Sequence, residues 1–288
     1  MKAIVPVAGL GTRMLPTSKA CTKELLPIVD KPVLQLIVQD LVLAGVREII
    51  FVVSSNKRAL QKYFARDLAL EKMLKDKGRF GTLRELNKLL ATVDFKYVEQ
   101  KEPLGDGHAV LCASKYIKNE PCLVVFGDDL IDAETPCPQQ ILKAYQKYKA
   151  PILTLQQVPQ AQVSSYGIVG GRQKAKGIYA LNQFVEKPDP DKAPSNLAIV
   201  GKYLITPVVL KFLQKIKYQT GREIRLIDAF YAMAENNLPV YGLEFKGQRF
   251  DTGNKLGYAK AFLHYALKDK QLRPELRGFL EEELKAKD

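Results

Sequence analysis

The sequence predicts an α/β fold, a mostly parallel, mixed sheet flanked by helices, with an elaborated second half. Two observations carry this. Up to about residue 150, short apolar runs alternate with amphipathic stretches of helical spacing, the pattern of strands joined by helical crossovers. After Pro151 strand-like runs follow one another with fewer helices between them. The 288 residues, 47% hydrophobic and 26% charged, are enough for one large core, or one core with a smaller lobe attached.

In chain order, residues 3–7 read as a buried strand and run directly into a glycine loop. Residues 32–44 have helical spacing and stop at Gly45, and 48–53 form a second apolar strand. The charged, leucine-punctuated stretch 57–90 predicts helices; 95–98 is a third strand, 109–116 a helix and 122–126 a fourth strand. In the second half, 152–156, 178–185 and 198–204 are strand-like, 208–216 and 224–235 helical, and 240–245 a further strand. The tail reads as helical at 258–268 and 275–284. With no linker rich in Gly, Ser or Pro and no internal repeat, the chain reads as a single Rossmann-like domain over residues 1–288.

The 44 Lys and Arg against 31 Asp and Glu give a net charge of +13, which favours anionic partners. The basic residues are spread along the chain with no zinc finger, basic arm or aromatic-basic RNA motif, so phosphorylated small molecules compete with nucleic acid as partners. No apolar run approaches the roughly 20 residues needed to cross a bilayer, and no signal peptide follows Met1, so a soluble, cytoplasmic protein is expected. Cys21, Cys112, Cys122 and Cys137 are far apart, and only His108 and His264 are available, so neither a zinc site nor a disulfide framework is expected.

The loop Val7-Ala8-Gly9-Leu10-Gly11-Thr12-Arg13 follows the first strand. Glycines there let backbone N–H groups approach phosphate oxygens, and Arg13 adds a planar, permanently charged fork. By itself, Gly-x-Gly serves equally well as a strand-to-helix turn. Met14 stands where a dinucleotide fingerprint wants glycine, and Thr12-Arg13 does not supply the Gly-Lys-Ser/Thr of a Walker loop. Lys19, Lys23 and Lys31 follow, with Pro16, Pro27 and Pro32 stiffening the path.

Gly9-Leu10-Gly11-Thr12-Arg13-Met14-Leu15-Pro16, then Lys23-Glu24-Leu25-Leu26-Pro27 and Asp30-Lys31-Pro32, resemble the signature of the sugar-nucleotide pyrophosphorylases, and among them the bacterial UTP–glucose-1-phosphate uridylyltransferases. The resemblance extends over essentially the whole chain. It implies a nucleotidyltransferase fold of the glycosyltransferase-A-like kind, with a nucleotide-binding part at about 1–150, a sugar-phosphate-binding part at about 151–255 and C-terminal helices at about 256–288.

Gln100, followed by Gly105-Asp106-Gly107-His108, offers an amide donor and acceptor side by side, able to match a pyrimidine edge. Alone, that segment is an ordinary loop before a helix; the resemblance assigns uracil contacts to Gln100, Gly105, Ala8 and Gly9, with Gly11 and Thr12 at the phosphates. Gly127-Asp128-Asp129 puts acids at the carboxyl end of a strand, where ligands of parallel sheets bind, although an isolated Asp-Asp serves more often as a cap or turn. The resemblance makes Asp128 and Asp251 the ligands of Mg²⁺. It gives glucose 1-phosphate to Gly167, Glu186, Lys187 and Gly201; the turn at Pro188 is expected to bring Glu186 and Lys187 into one pocket, since neighbours on a strand face opposite ways. Gly127 stands where many relatives have Pro, and Arg225 and Ile227 where they often have Gln and Thr.

The implied reaction is in-line attack of the sugar phosphate on the α-phosphorus of UTP, with pyrophosphate leaving. The nucleophile is already ionised, so the catalytic residues are charge stabilisers, Arg13, Lys23 and Lys187, with no general base. The same resemblance implies a homodimer or homotetramer with small-molecule substrates and no nucleic-acid or membrane partner. Thymidylyl transfer, another hexose, and a paralogue without turnover remain the alternatives.

Overall fold

The structure, a computed structural model, describes residues 1–55, 58–79 and 81–285. Strand β1 (Lys2–Pro6) leads through the glycine loop to the short strands β2 (Pro27–Ile28) and β3 (Lys31–Pro32) and then to helix α1 (Val33–Leu43). Next come β4 (Glu48–Val53), helices α2 (Arg58–Tyr63), α3 (Leu68–Asp76) and α4 (Arg84–Thr92), β5 (Asp94–Glu99), α5 (Asp106–Ile117) and β6 (Cys122–Val125). The charged stretch forms three short helices; Lys57, where it was expected to begin, and Phe80 within it lie outside the described residues.

Strand β7 (Asp129–Asp132) and helix α6 (Cys137–Tyr148) lead into the second half. There follow β8 (Ile152–Gln157), β9 (Gly167–Ala175), β10 (Ile178–Glu186), β11 (Leu197–Ile205), α7 (Pro207–Leu213) and α8 (Leu226–Glu235). The last elements are β12 (Tyr241–Glu244), β13 (Gln248–Asp251), α9 (Lys255–Lys268) and α10 (Arg273–Lys285).

One nine-stranded sheet runs through both halves in the order β5-β4-β1-β6-β11-β8-β12-β10-β9. β5, β4, β1 and β6 are all parallel, as helical crossovers require. β11 enters antiparallel on both sides, against β6 and β8, and from there the sheet is mixed. Ile4 and Val5 are both fully buried although they face opposite ways: Val5 packs with Phe51, Leu123 and α1, and Ile4 with Ile50, Val124 and α5. Covered on both faces, these strands show as unbroken apolar runs. Burying each such side chain contributes about 1.5–3 kcal/mol.

Two elements that the sequence did not disclose position the chemistry. β7 pairs antiparallel with β13 in a separate two-stranded ladder, with Asp129 opposite Asp251. Each strand has four residues, too few for a period to show. The second is a bulge in β11 between Val200 and Tyr203, filled by the Thr154 hydroxyl, which donates to Lys202 O at 2.7 Å.

Candidate active site

The parallel strands end at a crevice of about 430 Å³, lined by Ala8, Gly9, Arg13, Lys23, Gln100 and Asp128 among others. The glycine loop hangs over it. Gly11 sits at φ +68°, where an L side chain would be strained, and its carbonyl accepts from Ser18 Oγ at 2.8 Å. Gly9 is exposed, with nothing within 4 Å of where a Cβ would stand, and Thr12 is exposed beside it.

Lys23 reaches across from a short 3₁₀ turn to Asp128, Nζ to Oδ2 at 2.5 Å. Burial draws the Lys23 ammonium down, but the Asp128 charge and hydrogen bond outweigh it and raise it above its ordinary value. In Asp128 burial pushes upward, and Lys23 overrides it to hold the carboxyl below its usual range. Arg13 is largely exposed and lies 3.9 Å from Asp251 Oδ2. The two carboxylates converge: a Cβ on Gly253 would stand 2.6 Å from Asp128 Oδ2 and 3.0 Å from Asp251 Oδ1. Oxygen ligands from two acids, beside room for phosphates, suit Mg²⁺, which keeps waters and substrate oxygens in its remaining positions. Among the described residues no group of three or more His, Cys, Asp or Glu side chains converges.

Behind Asp128 lies a buried ion network. Asp129 is paired on both oxygens by Arg249, at 2.6 and 3.1 Å, and also accepts from Gly201 N at 2.9 Å. Lys202, itself buried, donates to Asp129 O at 2.6 Å. Thr252 donates to Asp128 O from both its amide and its hydroxyl, each at 2.8 Å. Arg249 stacks its guanidinium over the Tyr166 ring at 5.7 Å. Asp128 faces the crevice from the turn before β7 while Asp129, the first residue of β7, points inward to Arg249.

At the base end, Gln100 is buried, and its Nε2 donates to Gly105 O at 2.9 Å and meets His108 Nδ1 at 3.1 Å. A carbonyl can only accept, which fixes the nitrogen on that side and leaves Oε1 as the acceptor that N3–H of a uracil or thymine requires. His108 Nδ1 then accepts, with its proton on Nε2 near Cys112 Sγ at 3.8 Å. Gly105 has φ +111°, and a Cβ there would stand 2.5 Å from Ile224 O.

The remaining predicted residues gather at the ends of β9 and β10. Gly167 pairs with Glu186, and a Cβ on it would meet Glu186 Oε2 and Ile227 Cδ1, each at 3.1 Å. Lys187, not Pro188, makes the reversal: its φ is +48°, its amide donates to Tyr166 O at 3.0 Å, and its Nζ lies 4.0 Å from Glu186 Oε1. Gly201 stands apart from these contacts. Its N–H serves Asp129 and its C=O accepts from Phe126 N at 2.8 Å, so its backbone groups are engaged, and a Cβ would press on Phe126. Gly127 likewise abuts Val7, 2.6 Å from a would-be Cβ.

A crevice at the strand ends, with a convergent acid pair and cations beside it, fits the class that the family comparison defines: the chain belongs to the nucleotidyl transferase family, whose model matches residues 2–268. It is 42% identical over 281 residues to the UTP–glucose-1-phosphate uridylyltransferase of Staphylococcus haemolyticus, covering 98% of this chain and 97% of that one. It is 43% identical over 280 residues to that of Bacillus subtilis, covering 97% and 96%. The solved structure of UTP-bound UGPase from Acinetobacter baumannii matches at a TM-score of 0.90 and 36% identity, covering 98% of each chain.

Proposed function

We propose that this chain transfers the uridylyl group of UTP to glucose 1-phosphate, giving UDP-glucose and pyrophosphate. The observation that carries this is the convergence of Asp128 and Asp251, with Lys23 and Arg13 at their sides, on a crevice whose far end presents Gln100 as an acceptor. The names of its full-length relatives support the same substrates.

The sugar phosphate needs no base, because it is ionised near neutral pH. What it needs is an in-line approach to a second polyanion, and at 4 Å with an effective dielectric near 20 each like-charge pair costs about 4 kcal/mol. Arg13 takes the β- and γ-phosphates under the glycine loop, with Gly11 and Thr12 beside them. Lys187 neutralises the incoming sugar phosphate, and Glu186 accepts sugar hydroxyls. Lys23 leaves Asp128 for the α-phosphate when the nucleotide arrives. Asp128 and Asp251 hold Mg²⁺, which when bound supplies further positive charge to the triphosphate oxygens. Ala8, Gly9, Gln100 and Gly105 hold the uracil. The reading places the nucleotide in residues 1–150 and the sugar phosphate in 151–255, and sets the enzyme in the cytoplasm as a homodimer or homotetramer. Exposed apolar residues on α9 and α10, such as Leu256, Phe262 and Phe279, support the assembly.

The test is a matrix of UTP, dTTP, ATP and GTP against several hexose 1-phosphates, with and without Mg²⁺, measuring pyrophosphate release. Turnover should peak with UTP and glucose 1-phosphate and vanish without a divalent ion. No nucleoside diphosphate sugar from any pair would refute the reading.

A further inference from the structure

One extended segment touches both substrate regions. Ile224 is stitched to the base loop by two backbone hydrogen bonds: its amide donates to Leu104 O at 2.7 Å, and Gly107 N donates to its carbonyl at 2.9 Å. A third stitch is made by Asp106, whose Oδ1 accepts from Leu226 N at 2.9 Å. Gly105 and Gly107 lack side chains where this segment presses, each with Ile224 O within 2.8 Å of a would-be Cβ. Glu223, one residue earlier, lines the nucleotide crevice. Arg225, one residue later, reaches the sugar pocket: Nη1 lies 3.5 Å from Glu186 Oε1, and Nη2 donates to Asp228 Oδ1 at 3.1 Å.

The sugar side of this segment also holds two unmatched atoms. Arg225 Nε and Asp228 Oδ2 are buried with no hydrogen-bond partner among the described residues, a donor and an acceptor on two side chains that already pair with each other. An unsatisfied buried polar atom costs more than a typical hydrogen bond nets, so the Arg225–Asp228 pair is held in place at a cost.

We propose that residues 223–226 form a strap coupling the two sites: Arg225 positions Glu186 for the hexose, Asp106 pins the strap to the base loop, and the hold on the sugar therefore depends on the base. This rests on the reading of Glu186 as the sugar's acceptor. A base seated against Gly105 fixes the loop, the loop fixes Ile224, and Arg225 then orders Glu186 at lower entropic cost. Coupling of this kind is reciprocal and typically about fivefold or more.

The experiment is calorimetric titration of glucose 1-phosphate with and without α,β-methylene-UTP, which cannot transfer its α-phosphoryl group, alongside steady-state kinetics. In the wild type the analogue should tighten glucose 1-phosphate roughly fivefold or more, and the converse titration should give the same factor. Arg225→Ala should raise the glucose 1-phosphate KM about tenfold with the UTP KM within about twofold, and Arg225→Lys should recover part of the loss. Asp106→Ala removes one of the three stitches and should lower the coupling factor at least about twofold, while Asp106→Asn, which keeps an oxygen for Leu226 N, should stay near the wild type. A wild-type factor near 1, or a factor unchanged in both Arg225→Ala and Asp106→Ala, overturns the strap. A wild type that makes no UDP-glucose fails the functional reading instead, and the two failures are distinct.

Discussion

The Lys187 side chain is 63% exposed and the Asp251 side chain 30%, and Asp251→Asn keeps an oxygen for Gly253 N, so both substitutions test chemistry more than folding. Lys187→Ala and Asp251→Asn should each lower kcat at least about 10²-fold, as removal of a preorganised charge stabiliser does, with circular dichroism unchanged. Arg13→Ala should raise the UTP KM more than the glucose 1-phosphate KM; the reverse order would move Arg13 to the other substrate. Two further acids titrate far from their ordinary range. Burial pushes Asp106 up to about 6, against the pull of the Leu226 and Gly107 amides, and pushes Asp40 up to about 6, with Lys202 opposing and Asp132 assisting. For a raised carboxyl the unfolded chain releases its proton first, so these groups lower stability as pH climbs from about 4 to about 6. Asp40→Asn or Asp106→Asn should flatten that part of the curve of melting temperature against pH; an unchanged slope in both would contradict the assignment.

The β7–β13 ladder is the element on which the two converging acids, Asp128 and Asp251, ride. Asp251 closes β13 and Asp128 immediately precedes β7, so their spacing is set by the register Asp251 to Asp129 and by the Arg249–Asp129 pair beneath it. Removing one partner strands a buried charge, so Arg249→Met should cost about 3–5 kcal/mol in denaturant unfolding and depress kcat in the same variant. Retained stability would mean that water reaches Asp129. This is also where legibility in the sequence ended. The parallel strands were readable because burial on both faces leaves long apolar runs, such as 48–53, and the glycine loop because its residues are contiguous. β7 and β13 have four residues each, lie some 120 positions apart, and are joined by an ion pair that no period encodes. Helix α5 begins three residues before the expected 109, because Asp106 and Gly107 bond to a segment distant in the chain. The pairing of Glu186 with Lys187 was visible in the sequence, but the left-handed Lys187 that makes it work was not.

For the whole molecule, the Lys23–Asp128 pair means that the resting crevice is already partly neutralised. Folding therefore does not wait on a divalent ion: chelation should abolish turnover while shifting the melting temperature by less than about 2 °C, unlike a structural metal site. UTP at about 100 times its Kd should raise apparent stability by roughly 2.7 kcal/mol, or about 4–5 °C for a chain of this size. No helix among the described residues is long and apolar enough to cross a membrane.

The bare Cα atoms of Gly105 and Gly107 leave a practical mark on any attempt to re-engineer the enzyme. Random libraries aimed at new nucleobases would strike those positions first, and nearly every substitution would shove aside Ile224 before it ever met a purine. On the proposed reading, altered base choice is better sought at His108, whose ring meets the Gln100 and Cys112 side chains and no neighbouring backbone group.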